Sequence, residues 1–120
     1  MKKVFAPLHR LLTRDGVAAL VTVVGAKGST PREAGARMVV SIAGAISGTV
    51  GGGRLELDAM ERAIAALHAG SDGSERLDLA LGPSIGQCCG GAVSVMIETF
   101  TTTRLAAVAE LAKIETAGPF

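Results

Sequence analysis

Val17-Ala-Ala-Leu-Val-Thr-Val-Val24 is the stretch that sets the architecture of this chain. It is short, nearly all apolar and rich in β-branched residues. Such a run reads as a strand covered on both faces, placed centrally in a sheet. Just before it, Val4 to Arg14 reads as a helix, with Phe5, Leu8 and Leu12 at spacings of three and four and Leu11 widening the stripe. Gly16 is suited to stop that helix. After it, Gly25-Ala-Lys-Gly-Ser-Thr-Pro-Arg-Glu-Ala-Gly35 is too rich in Gly, Pro and polar residues to continue the strand and reads as a loop.

Further along, Arg37 to Ile42 alternates, with Met38, Val40 and Ile42 on one face. Ala43-Gly44 supplies a hairpin turn, and Ala45 to Val50 the returning strand. A helix then runs from Arg54 to about Ala69, with Leu57, Met60, Ile64 and Leu67 as its apolar stripe and Asp58–Arg62 as an outward i,i+4 pair. Gly70 to Ser74 is a flexible connection. Arg76 to Leu81 alternates as a half-buried strand. Val93, Val95 and Ile97 mark the last strand, and Thr103 caps a final helix to about Glu115, with Leu105, Val108 and Ala112 inward. The order α-β-β-β-α-β-β-α predicts an α+β fold: a mixed, mostly antiparallel sheet of about five strands with helices packed on it.

The totals narrow the function classes. The 120 residues fit one domain. With 12 Lys and Arg against 11 Asp and Glu, and no Trp or Tyr, the chain has neither the basic field nor the stacking aromatics of a nucleic-acid binder. The start, MKKVFAPLHR, lacks the apolar stretch of a signal peptide. The longest apolar run is far short of the ~20 residues needed to span a bilayer. These features predict a cytoplasmic protein, in which the two cysteines remain thiols.

Sixteen glycines are an excess, and they cluster at three loops. Gly48-Thr-Val-Gly-Gly-Gly53 lies between a strand and a helix, where free backbone N–H groups can hold an anion and glycine lets a phosphate approach. Neither it nor GAKGST has the spacing of a dinucleotide or Walker loop. Glu56, in the first turn of that helix, either complements the helix dipole or points at a ligand lying across the glycines. Ser29-Thr-Pro-Arg32 offers hydroxyls and a guanidinium able to grip phosphate bidentately. Arg37, at a strand start, does the same or pairs with an acid.

Leu81-Gly-Pro-Ser-Ile-Gly-Gln-Cys-Cys-Gly-Gly91 carries both cysteines, Cys88 and Cys89. They read as buried small hydrophobes, as metal ligands, or as soft thiolates beside a sulfur-rich or metal-bearing ligand. His9 and His68 give no zinc spacing with them. The glycine-rich flanks favour the third reading.

GSTPREAGARMVV, GTVGGGRLE and GQCCGGAVSV, in this order from about Val17 to Glu98, resemble the XdhC/CoxI family of accessory proteins for molybdenum hydroxylases. The resemblance implies a chaperone rather than an enzyme. Its cargo would be the molybdenum cofactor, as molybdopterin or its dinucleotide form, protected while a cysteine desulfurase installs the terminal sulfur and then handed to the apo-hydroxylase. Carried over to this chain, the cofactor-binding positions are Ser29, Arg32, Arg37, Gly51, Gly52, Gly53, Glu56, Gln87, Cys88, Cys89 and Gly90, with Cys89 near the molybdenum or its sulfur. Longer members continue into a Rossmann-like second domain, for which 120 residues leave no room. The expectation is a single-domain member, a fragment, or a chain whose Rossmann-like domain is a separate polypeptide, acting as a homodimer or with that separate partner. The rival readings are a small thiol-dependent sulfur-transfer or redox protein using Cys88 and Cys89, and a module that only dimerises.

Overall fold

The computed structural model describes residues 4–27, 35–44, 46–48, 53–70, 72–81 and 91–117. Three helices and five strands follow in the expected order: α1 (Phe5–Asp15), β1 (Val17–Lys27), β2 (Arg37–Val40), β3 (Ile46–Gly48), α2 (Gly53–His68), β4 (Gly73–Leu81), β5 (Gly91–Thr101) and α3 (Leu105–Ala117). The sheet order is β3-β2-β1-β5-β4, and every pairing is antiparallel. The fold is α+β, and the apolar run at residue 17 is its central strand.

Alternation along β1 divides the core between the two faces of the sheet. Ala19, Val21 and Val23 join Met38, Val40, Val93, Val95 and Ile97 beneath α2. Ala18 and Leu20 join Val39 and Phe100 beneath α1 and α3, where Leu8, Leu12 and Val108 close the second layer. The covering is incomplete at the far end of β1: Thr22 is half-buried and Val24 is 44% exposed.

Several boundaries differ from the sequence reading, each for a tertiary reason. β1 does not stop at Val24. A register shift between Val23 and Gly25 absorbs one extra residue, and pairing with β5 resumes from Gly25–Ser94 to Lys27–Ala92. β4 begins at Gly73 rather than Arg76, because Gly73, Ser74 and Glu75 find partners in Thr99, Glu98 and Ile97. On α2 the buried residues are Leu55, Ala59, Ala63 and Leu67, whereas Leu57 is 44% exposed. Small residues let the helix lie close to the sheet, so the inward stripe is turned away from the one drawn through the largest side chains. Arg62 sends its guanidinium across to β4, donating to both oxygens of Glu75 at 2.7 and 2.8 Å.

Two carboxylates fasten the last helix. Glu115, in the final part of α3, accepts from the backbone N–H of Val4 and Phe5 at 2.9 Å and of Ala6 at 3.3 Å. The N-cap residue Val4 has no side-chain acceptor of its own, so a remote carboxylate caps α1. Asp72, just before β4, accepts from the Thr101 N–H and from the Thr101 and Thr103 hydroxyls. A 3-10 turn, Thr102–Arg104, leads into α3, and Thr101 rather than Thr103 caps that turn, its Oγ1 accepting from Thr103 N–H.

The hydrogen bond from Thr103, followed by that from the Thr101 N–H, holds the Asp72 carboxyl below its ordinary value. A carboxyl whose folded pKa lies below its unfolded value stabilises the fold above the unfolded value, about 4 for aspartate. That stabilisation is lost as pH falls through the lowered folded value. Asp72→Asn is therefore expected to lower the urea midpoint at neutral pH and to differ progressively less from the parent as pH drops below about 4. A difference that grows on acidification would contradict the linkage.

Candidate functional site

Direction in the sheet gathers the three glycine-bearing connections. In the order β3-β2-β1-β5-β4 with all neighbours antiparallel, β3, β1 and β4 run the same way. Their exits, into 28–34, 49–52 and 82–90, therefore leave from one end of the sheet. The register agrees: Lys27 lies opposite Ala92, Leu81 opposite Gly91, Arg37 opposite Thr22 and Gly48 opposite Met38.

That end is stepped. β1, β5 and β4 extend beyond β2 and β3, since β1 runs five residues past Thr22 to Lys27. α2 makes up much of the difference. Arg62 meets Glu75, which lies opposite Ile97. From Arg62 back to Gly53 the helix rises about 13 Å, or about four strand residues for an axis along the strands. Gly53 thus stands near the level of Leu79 and Val93, just below the base of the cysteine-bearing connection. The first-turn N–H groups of α2, which a helix leaves without intrahelical partners, point toward that end.

Of the residues singled out in the sequence, Gly53 begins α2, and Glu56 is half-buried in its first turn, where a carboxylate complements the positive helix end. Arg37 is exposed at the start of β2, with its Cζ 6.0 Å from the centroid of the Phe5 ring. It shares a face with Val39, under α1, whereas α2 lies on the opposite face with Met38 and Val40. The sheet therefore separates Arg37 from Gly53 and Glu56. Ser29, Arg32, Gly51, Gly52, Gln87, Cys88, Cys89 and Gly90 lie outside the described residues. Among the described residues, no group of three or more His, Cys, Asp or Glu is placed to hold a metal, and no helix is long and apolar enough to cross a membrane.

The strand pairing also assembles a rung that the sequence reading did not. Arg37, Thr22, Met96 and Arg76 lie side by side across β2, β1, β5 and β4. Beside it, Arg76 Nε donates to Asp78 at 3.0 Å and Arg76 Nη2 to Ser94 at 3.1 Å, while Ser94 Oγ donates to Asp78. The signal available in the sequence was Thr22, the one polar residue in the apolar run Val17–Val24.

Comparison with known proteins agrees with this architecture. The XdhC and CoxI family matches residues 11–78, more than half of the chain. The uncharacterized protein YqeB of Escherichia coli (strain K12) is 33% identical over 96 residues, covering 78% of this chain and 18% of its own length. A crystal structure described as a xanthine dehydrogenase from Bacillus halodurans superposes with a TM-score of 0.71 at 23% identity, over 95% of this chain and 35% of that one. The chain thus spans about a fifth of one relative and about a third of the other, and the second likeness establishes the shared fold. By the family match, this chain belongs to the XdhC and CoxI family.

Proposed function

We propose that this domain is the cofactor-holding part of a maturation factor for a molybdenum hydroxylase, and that it performs no turnover of its own. The observation that carries the reading is the exit of all three glycine-bearing connections from one end of the sheet, with the α2 N-terminus rising beside them. The molybdenum cofactor is cargo with two chemically distinct ends. Its phosphate suits the backbone N–H groups of Gly51, Gly52 and Gly53, each charge-assisted bond contributing on the order of 1.5–3 kcal/mol, together with the Arg32 guanidinium and the Ser29 hydroxyl. Its sulfur-bound metal suits a soft thiolate, which assigns that end to Cys89, with Cys88, Gln87 and Gly90 forming the wall. Glu56 faces the ligand from the first turn of α2. Arg37, on the other face, would meet only a ligand that wraps over the end of the sheet, as the longer dinucleotide form could.

In this reading a cysteine desulfurase supplies the terminal sulfur, the apo-hydroxylase receives the loaded cofactor, and the work takes place in the reducing cytoplasm. The protein acts as a homodimer or beside a separate Rossmann-like domain.

The test is cofactor loading. The protein is expressed in a host that makes molybdenum cofactor and purified without oxygen. Molybdenum is then measured together with the fluorescence of the oxidised pterin. A near-stoichiometric pterin signal is expected, lost in Gly52→Phe. Cys89→Ser is expected to lower retention of the sulfurated cofactor several-fold relative to Ser71→Ala. Absence of both pterin and molybdenum would overturn the holding role for this domain, and equal retention in Cys89→Ser and Ser71→Ala would remove the thiol from it.

A further inference from the structure

Among the described residues, β4 is an edge strand of nine residues, paired with β5 along its whole length and with no strand on its other side. The opposite edge, β3, is only three residues long. α2 touches β4 on one face, where Arg62 meets Glu75 and Leu77 packs against the core beneath the helix, and among the described residues no strand pairs with its outer edge. α2 packs over β1, β2 and β5, leaving a cleft of about 390 Å³ between its small residues Ala65, Ala66 and Ala69 and the strand. α1 and α3 pack on the other face, over β1, β2 and the far end of β5. Alternate residues of β4 therefore turn N–H and C=O groups away from β5, along an edge that no described strand pairs, a template for another strand.

Such edges are commonly blunted by charge, and β4 carries Arg76 and Asp78, 62% and 71% exposed. Here, however, the two charges are opposite in sign and placed one on each side of Leu77, the central residue of Gly73–Leu81. We propose that β4 pairs antiparallel with β4 of a second copy, on a two-fold axis through Leu77, making one ten-stranded sheet.

Symmetry limits the registers to a few. Residues directly opposite in an antiparallel pair share a face, so a two-fold axis relating two copies of one strand must pass through a residue. An axis at Arg76 sets Arg76 against itself, one at Asp78 sets carboxylate against carboxylate, and one at Glu75 does the same. Each is penalised by like-charge opposition. An axis at Leu79 leaves Arg76 beyond the paired segment. Only the axis at Leu77 matches the strand end to end, Gly73 with the partner's Leu81, and places Arg76 opposite the partner's Asp78 twice over. The charges that repel an unrelated edge thus select a second copy of this chain in a single register. Glu75, held by Arg62, then lies on the α2 face opposite the partner's Leu79.

In this dimer the two loop ends point to opposite extremes of the joined sheet. Each copy keeps its own candidate site, and the interface stands or falls independently of cofactor binding. A monomer that retains pterin would overturn only the interface.

The test is sedimentation equilibrium of the full chain at about 1–200 μM, a range that brackets the affinities of modest interfaces. The unaltered protein is expected to dimerise. Arg76→Asp or Asp78→Arg alone creates two like-charge oppositions and is expected to weaken association at least about tenfold. The double variant R76D/D78R restores opposite signs and is expected to recover it. A monomer throughout the range, a dimer indifferent to the single changes, or a double variant no better than the singles would each overturn the proposal. Amide hydrogen exchange of the unaltered protein gives a readout free of substitution. Exchange along β4 is expected to slow as concentration rises, and a concentration-independent rate would overturn the pairing.

Discussion

Leu55→Ala is expected to lower unfolding free energy by about 3 kcal/mol, within the range for emptying a fully buried leucine site. Leu55 is 1% exposed and packs in the layer that holds Val23, Met38 and Val93. Ala59 and Ala63, both 0% exposed, already bring α2 close to the sheet. The helix has little room to sink further, and the vacated volume remains largely unfilled. Leu57→Ala, two residues on, is the control: its side chain is 44% exposed, and the change should stay within about 0.5 kcal/mol. Urea unfolding of the two variants decides the matter, since equal losses would contradict the inward stripe. A second effect follows from position. Leu55 anchors the first turn of α2, two residues past Gly53, so its loss should also reduce pterin retention at a concentration of urea that leaves the parent fully folded.

Gly48→Ala is the second large change expected, with a loss of about 2–4 kcal/mol, from two sources that a control can separate. Gly48 has φ +88°, a region that costs an L-residue about 1–2 kcal/mol. A Cβ there would also lie 2.6 Å from the Arg37 carbonyl oxygen, a backbone atom of the paired strand. No rotamer change relieves that overlap, so β3 must move away from β2. Gly16→Ala carries the first penalty alone, for Gly16 has φ +78° and nothing within 4 Å of its would-be Cβ. The difference between the two variants measures the clash. β3 is short and lies at an edge, so the total is capped by the cost of detaching it. Hydrogen exchange should show protection lost at 46–48 while β1 and β5 keep theirs. Equal destabilisation by the two substitutions would contradict the close approach.

Much of the fold was legible because its central strand announces itself. A short apolar, β-branched run cannot serve as a surface element, and the helices and alternating strands around it fall in place by period. At the strand boundaries, local composition is overruled by pairing partners far away in sequence. Gly25 and Lys27 look like loop residues until β5 is laid beside them. Gly73 and Ser74 look like a turn until Thr99 and Glu98 meet them. The α2 stripe was drawn through large side chains, whereas close packing on a sheet selects Ala59 and Ala63, which carry little hydrophobic signal. Of the candidate site, the sequence showed that three glycine-rich connections exist. That they leave from one end required the strand order, and that Arg37 stands across the sheet from Gly53 required the alternation of β2 to be anchored to its two cores. The Glu115 cap, joining residues 111 positions apart, has no local signature at all.

The Glu115 contact turns the linear chain into something close to a ring. The backbone N–H of Val4 sits 2.9 Å from a carboxylate of the last helix, so the two ends of the described chain meet at one point on the surface. A short linker between them would close the circle without disturbing either core, and a new opening cut in the Ala43–Gly44 turn would give a permuted chain with every strand pairing intact. A linker joining the described ends would lie at that same point, beside α1 and on the face of the sheet opposite α2. The α2 face would stay clear, together with the helix N-terminus that rises toward the glycine-bearing end.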